Sequence, residues 1–143
     1  MAKREITRDD LRNYQELLIE LDGYDARIEQ AYNTYRSPAM SSDGGGHSSD
    51  PGDPTARAYH RIELLKAERQ RIQERINAIE SFVAAIEDPR ERTICNLHYI
   101  CGYTWQATCW RMRKHYSSPM LVKYDRQWWE DREQELENDD KEK

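Results

Sequence analysis

Two apolar heptad stripes, separated by a run almost free of apolar side chains, constrain this chain more than any other feature. Across residues 9–36, Leu11, Leu18, Asp25 and Tyr32 occupy one heptad position, and Tyr14, Leu21, Ile28 and Tyr35 occupy the other. Across 55–87, Ala58, Leu65, Ile72, Ile79 and Ile86 alternate with Ile62, Arg69, Ile76 and Val83. A repeat of this period, held over four heptads, specifies long helices that bury one narrow face against a partner. Asp9 or Asp10 is expected to cap the first helix, and Ser37-Pro38 to end it, because proline disfavours helix in the residue before it. Asp53 followed by Pro54 reads as N-cap and first helical residue of the second. The intervening PAMSSDGGGHSSDPGD is rich in turn formers and is expected to be an exposed loop.

Antiparallel packing makes a further prediction, because facing residue numbers must then keep a constant sum. Pairing Leu11 with Val83, Leu18 with Ile76 and Tyr32 with Ile62 brings Asp25 opposite Arg69. The single charge of the first stripe thus meets the one charge of the second. A polar pair of this kind selects one register of a coiled hairpin. A two-helix seam leaves its residues half covered, so dimerisation through the hairpin is an expected partner interaction.

Composition narrows the class. Of 143 residues, 34% are charged and 37% apolar, too little for a broad sandwich or a large α/β core. The first ten residues lack a signal-peptide apolar stretch, and no run reaches the roughly 18 apolar residues of a membrane span. Three cysteines, Cys95, Cys101 and Cys109, without a CxxC, fit reduced thiols in a cytoplasm. Net charge is −5 but unevenly placed. Residues 104–129 carry Arg111, Arg113, Lys114, Lys123 and Arg126 against Asp125 alone, whereas 130–143 holds eight acids and three bases. A cationic block of this sort points to a polyanion.

That block lies in a segment with its own helix punctuation. Asp88, Pro89 and Glu91 form a capping-box start, and Gly102 fits the left-handed site that ends a helix. Thr104 is placed to cap a short helix containing Trp105, Thr108, Cys109 and Met112. After the turn RKHYS, Ser118 is expected to cap, and Pro119 to open, a last helix with Leu121, Tyr124 and Trp128 inward. Three short-linked helices are the parts of a helix-turn-helix. The fold class expected is therefore all-α: a long antiparallel helical hairpin followed by a small trihelical module. The chain divides into a first coiled-coil helix (1–37), a loop (38–54), a second coiled-coil helix (55–87), the trihelical module (88–129) and an acidic tail (130–143).

The run DPRERTICNLHYICGYTWQATCWRM, followed by HYSSPMLVKYDRQWWE, resembles phage-encoded transcriptional regulators of the ArpU/RinA-like group. Those carry a helix-turn-helix similar to region four of bacterial sigma factors. The matching positions are Asp88, Pro89, Arg92, Leu97, Tyr99, Ile100, Gly102, Thr104, Trp105, Cys109, Tyr116 and Ser117. The chain departs from the pattern in a turn about two residues longer, in Ala107 where an acid is usual, and in a last helix opening Ser118-Pro119-Met120. The resemblance implies a DNA-binding activator of late phage genes in a bacterial host cell, with host RNA polymerase as a second partner.

With Leu121, Tyr124 and Trp128 inward, Ser117, Ser118, Met120, Lys123, Arg126 and Gln127 become the outward candidates for double-stranded DNA. Lys123 and Gln127 have the reach for base edges, Met120 for a thymine methyl, and the serine hydroxyls and helix N-terminus for phosphate. Arg111, Arg113, Lys114 and His115 precede them and are expected to orient the module on phosphates. Cys95, His98 and Cys101, with Cys109 or His115 as a fourth donor, are poorly spaced for zinc on one helix, so no metal or other cofactor is expected. No phosphate-binding glycine loop, nucleophile–base pair or paired carboxylates on a shaped scaffold is legible, so the chain does not read as an enzyme. The alternative is a non-enzymatic helical adaptor or assembly protein working through its hairpin.

Overall fold

The computed structural model describes residues 4–36, 54–113 and 116–142. Among them 86% are helical and none lies in a strand, so the chain is all-α. The helices are α1 (Arg8–Arg12), α2 (Tyr14–Arg36), α3 (Pro54–Ala84), α4 (Pro89–Ile94), α5 (Trp105–Arg111) and α6 (Ser118–Glu142). A π-helical segment, Cys95–Ile100, continues α4. The loop expected at 38–54 lies outside the described residues except for Pro54, as do Asp53, Lys114 and His115. No described helix is long and apolar enough to cross a membrane.

Two compact units divide the chain, one of residues 16–76 and the other of 1–15 with 77–143. In the first, Ile62, Leu65 and Ile76 are buried and Leu18, Leu21, Ile28, Tyr32 and Ile72 half-buried, all of them heptad positions. Arg69 grips Asp25 with two donors, Nε to Oδ1 and Nη2 to Oδ2, the latter at 3.4 Å. Lys66 lies 5.4 Å over the Tyr32 ring. Paired numbers therefore rise along α2 as they fall along α3. The Tyr35 side chain falls outside what is described. Ile19 and Leu64, off the stripes, are exposed.

The second unit buries Leu11, Tyr14, Ile79, Val83, Ile86, Ile94, Tyr99, Leu121 and Trp129. Burying an aliphatic or aromatic side chain of this size contributes roughly 1.5–3 kcal/mol. The first helix starts differently from the sequence expectation. Thr7 is its N-cap, accepting from the Asp10 backbone N–H while the Asp10 carboxylate accepts from Thr7, a reciprocal capping box. Asn13 then interrupts it at φ −89° and ψ −1°, and α2 begins at Tyr14. Asp9 stays exposed and Asp10 is buried, so neither is the cap. The short α1 belongs to the same unit as the C-terminal helices.

The acidic 130–143 segment is no separate tail through Glu142, because α6 runs straight through it. Arg132 explains part of that continuity: its guanidinium sits 4.5 Å over Phe82 and pairs with Glu5 at 3.1 Å. Phe82 in turn stacks on Trp129, centroids 5.6 Å apart.

Candidate nucleic-acid interface

The last helix is positioned by what it buries. Leu121, Asp125 and Trp129 form its inner line, with Tyr124, Trp128 and Arg132 half-buried beside them. The expected inner line of Leu121, Tyr124 and Trp128 is thus rotated by about one residue. The Tyr124 hydroxyl donates to the Asp88 carboxylate, which also accepts from the Arg90 backbone N–H at the start of α4. That bond holds the Tyr124 phenol up to about 12, burial adding to it. The cap of α6 also moves by one: the Ser117 hydroxyl, not Ser118, accepts from the Met120 N–H at 3.3 Å.

Opposite that buried line, Met120, Lys123, Arg126 and Gln127 are all exposed. Gln127 donates to Asp131 at 2.9 Å. Ser117 is exposed and Ser118 half-buried, its hydroxyl 3.7 Å from Cys109 Sγ. Arg111 and Arg113 are exposed just before the turn. Eight of the ten proposed DNA-contacting residues are described, and seven of those eight are exposed.

Three of the four tryptophans stay partly or wholly open. Trp129 is buried, Trp105 and Trp128 are half-buried, and Trp110 is 80% exposed. Trp105 stacks on His98 with centroids 3.8 Å apart, and His98 Nδ1 donates to the Tyr103 carbonyl at 2.7 Å. Burial lowers the His98 pKa, against the hydrogen bond to Tyr103, which raises it.

Beneath α6 lies a buried polar cluster that the sequence reading did not foresee. Asp125, wholly buried, accepts from the Tyr99 hydroxyl at 2.6 Å and from Arg8 Nη2 at 3.3 Å. Arg8 Nε also donates to the Tyr99 hydroxyl at 3.4 Å. Glu91, expected as a capping-box acid, is instead wholly buried and accepts a hydrogen bond from the Cys95 thiol at 3.3 Å. Its remaining oxygen, Oε2, and Asp125 Oδ1 are buried without a hydrogen-bond partner. Burial first, then the neighbouring Asp125, raises the pKa of the Glu91 carboxyl and favours its neutral form. Burial also raises the pKa of the Cys95 thiol and of the Tyr99 phenol. The cluster thus joins Arg8, Tyr99 and Asp125 by hydrogen bonds and sets Glu91 and Cys95 beside Asp125.

Glu91, Cys95 and Asp125 offer donor atoms within 4.8 Å of one another, a set chemically able to ligate a divalent cation. The Arg8 guanidinium beside Asp125 opposes a further positive charge there. The grouping of Cys95 with His98 and Cys101 does not form, because Cys95 turns inward to Glu91 and Cys101 is exposed.

The π-helical segment makes this arrangement. Cys101 N–H reaches the Asn96 carbonyl at 2.9 Å, five residues back rather than four. The segment ends at Gly102, at φ +78°, the left-handed cap expected from the sequence. Gln15 closes it from α2, its amide donating to the Tyr99 and Ile100 carbonyls at 3.2 and 2.6 Å. No family model, curated protein or solved structure matches the chain.

Proposed function

We propose that the chain is a sequence-specific DNA-binding transcriptional regulator that reads duplex DNA with α6. The observation carrying this reading is the split of α6 into an anchored face of Leu121, Asp125 and Trp129 and an open face of Met120, Lys123, Arg126 and Gln127. A helix held rigidly on one side, with cationic and amide side chains free on the other, is what groove readout requires. Arg111 and Arg113, with Lys114 and His115, supply the phosphate contacts that set its orientation. In this reading α4, α5 and α6 form the helix-turn-helix module, and α2 with α3 the antiparallel hairpin through which the protein dimerises or meets host RNA polymerase. Its targets are late phage promoters in the cytoplasm of a bacterial host, and it is not an enzyme.

A second reading, a helical adaptor, draws on Ile19, Tyr59 and Leu64, which stand exposed on α2 and α3. The two readings separate in one experiment. Selection from a random duplex library, followed by electrophoretic shift, is expected to recover a defined site that Lys123→Ala binds at least tenfold more weakly. Affinity for that site is expected to fall steeply with salt. Equal retention of every duplex, unchanged in Lys123→Ala, overturns the regulator and leaves the adaptor.

A further inference from the structure

Trp110 is the most exposed of the large apolar side chains, at 80%, a costly position for an indole without a partner. It ends α5 beside two exposed guanidinium groups, and Trp110, Arg111 and Arg113 line a shallow hollow of about 380 Å³. The backbone is bent to make this hollow. Arg113 sits at φ +51°, the only non-glycine residue on the left-handed side among those described, and its N–H returns to the Trp110 carbonyl at 3.4 Å. A bulky residue in that region is strained, and such outliers gather where a ligand is clamped. Arg111 is steadied from behind by the Tyr103 ring, 4.7 Å from its guanidinium carbon.

We infer that this hollow binds an unpaired nucleotide of a single-stranded nucleic acid, the base stacking on Trp110 and the flanking phosphates on Arg111 and Arg113. The chemistry selects this class. One aromatic face between two guanidiniums combines a stacking platform with an anion site, the pairing single-strand binders use. A duplex keeps its base faces inside the stack and offers the indole only sugar edges. An apolar peptide finds one apolar side chain here and two charges to desolvate. Arg111 and Arg113 are phosphate contacts in both readings; base stacking on Trp110 is what sets this site apart, and it does not depend on groove readout by α6 being right.

The test uses the full chain and a fluorescein-labelled twelve-nucleotide oligothymidylate, followed by anisotropy and by intrinsic tryptophan fluorescence. The expected result is binding with quenched tryptophan emission, weakened about tenfold or more in Trp110→Ala, as losing one stacked base predicts. Arg113→Gln is expected to weaken binding several-fold and flatten its salt dependence. Tyr59→Ala removes another exposed aromatic and is expected to change neither signal. Trp110 touches too little for its loss to unfold the chain, and a thermal melt checks this. Unchanged oligothymidylate affinity in Trp110→Ala overturns the site. So does inorganic polyphosphate competing as well as the oligonucleotide, since that marks a bare cationic patch. Failure of duplex selection with single-strand binding intact removes only the α6 reading, whereas the reverse removes only this one.

Discussion

The Tyr99 hydroxyl donates to Asp125 at 2.6 Å where Asp125 meets no water, and the equally buried Glu91 carboxyl lies beside it. Arg8 also donates to Asp125, and burial first, then Asp125, raises the pKa of Glu91. These bonds to Asp125 tie α6 to the π-helical segment through Tyr99 and to α1 through Arg8. The position of Asp125 on α6, between Tyr124 and Arg126, makes it the peg that fixes which side of that helix faces solvent.

Stability is expected to follow the Glu91 proton. Burial raises its folded pKa well above its ordinary value of 4.5, so the folded state holds a proton the unfolded chain releases. That contribution is whole below about 4.5 and declines as pH rises toward the raised folded pKa. Glu91→Gln keeps a donor toward Asp125 and an acceptor for Cys95 without the proton. Thermal melts from pH 5 to 9 are expected to show the variant less pH-dependent and more stable than the parent at pH 8. A parallel decline in both chains removes Glu91 as the source of the pH dependence.

Asp125→Asn is expected to lower stability by about 3 kcal/mol at neutral pH, because it leaves Arg8 facing a neutral group in a buried site. Circular dichroism melts measure this. An unchanged melting temperature contradicts the buried pairing.

Gly102 is a separate anchor. A methyl group there lies at φ +78° and approaches the Gln15 side chain to 3.1 Å. Gly102→Ala is expected to cost about 1–2 kcal/mol from the left-handed backbone alone. Displacing Gln15 also frees the Tyr99 and Ile100 carbonyls it holds, which amide exchange near the π-helical segment is expected to reveal.

For the pair on α2 and α3, reversing Asp25 or Arg69 alone is expected to lower the melting temperature, and reversing both to restore part of it. The side chains are 47% and 32% exposed, so the effect is small and shrinks in high salt. Additive single effects in a double-mutant cycle exclude a role for the pair in setting register.

The acidic second half of α6 supplies another test of duplex binding. Neutralising Glu133, Glu135 and Glu137 to Gln leaves Arg132 on Phe82 and removes charge near the cationic first turns. Affinity for unrelated duplexes is expected to rise several-fold at low salt, with the preference for a selected site reduced. No rise removes screening as a role for those acids.

What the sequence determined alone was local and periodic. Heptad spacing located the stripes of α2 and α3, Asp88-Pro89 opened α4, Gly102 closed its π-helical continuation and Thr104 capped α5, because each signal lies within a few residues of what it controls. It also brought Asp25 to Arg69, since a strict repeat carries register over long distances. Tertiary structure decided the inside of the C-terminal unit. Asp125 is 26 residues from Tyr99 and 117 from Arg8, so no period connects them, and in the sequence it counts only as a lone acid in a basic stretch. Glu91 likewise reads as a capping acid until Cys95 and Asp125 enclose it and burial makes the proton cheaper to keep than to lose. Only that enclosure turned α6 by one residue, setting Trp129 inside and Lys123, Arg126 and Gln127 in water.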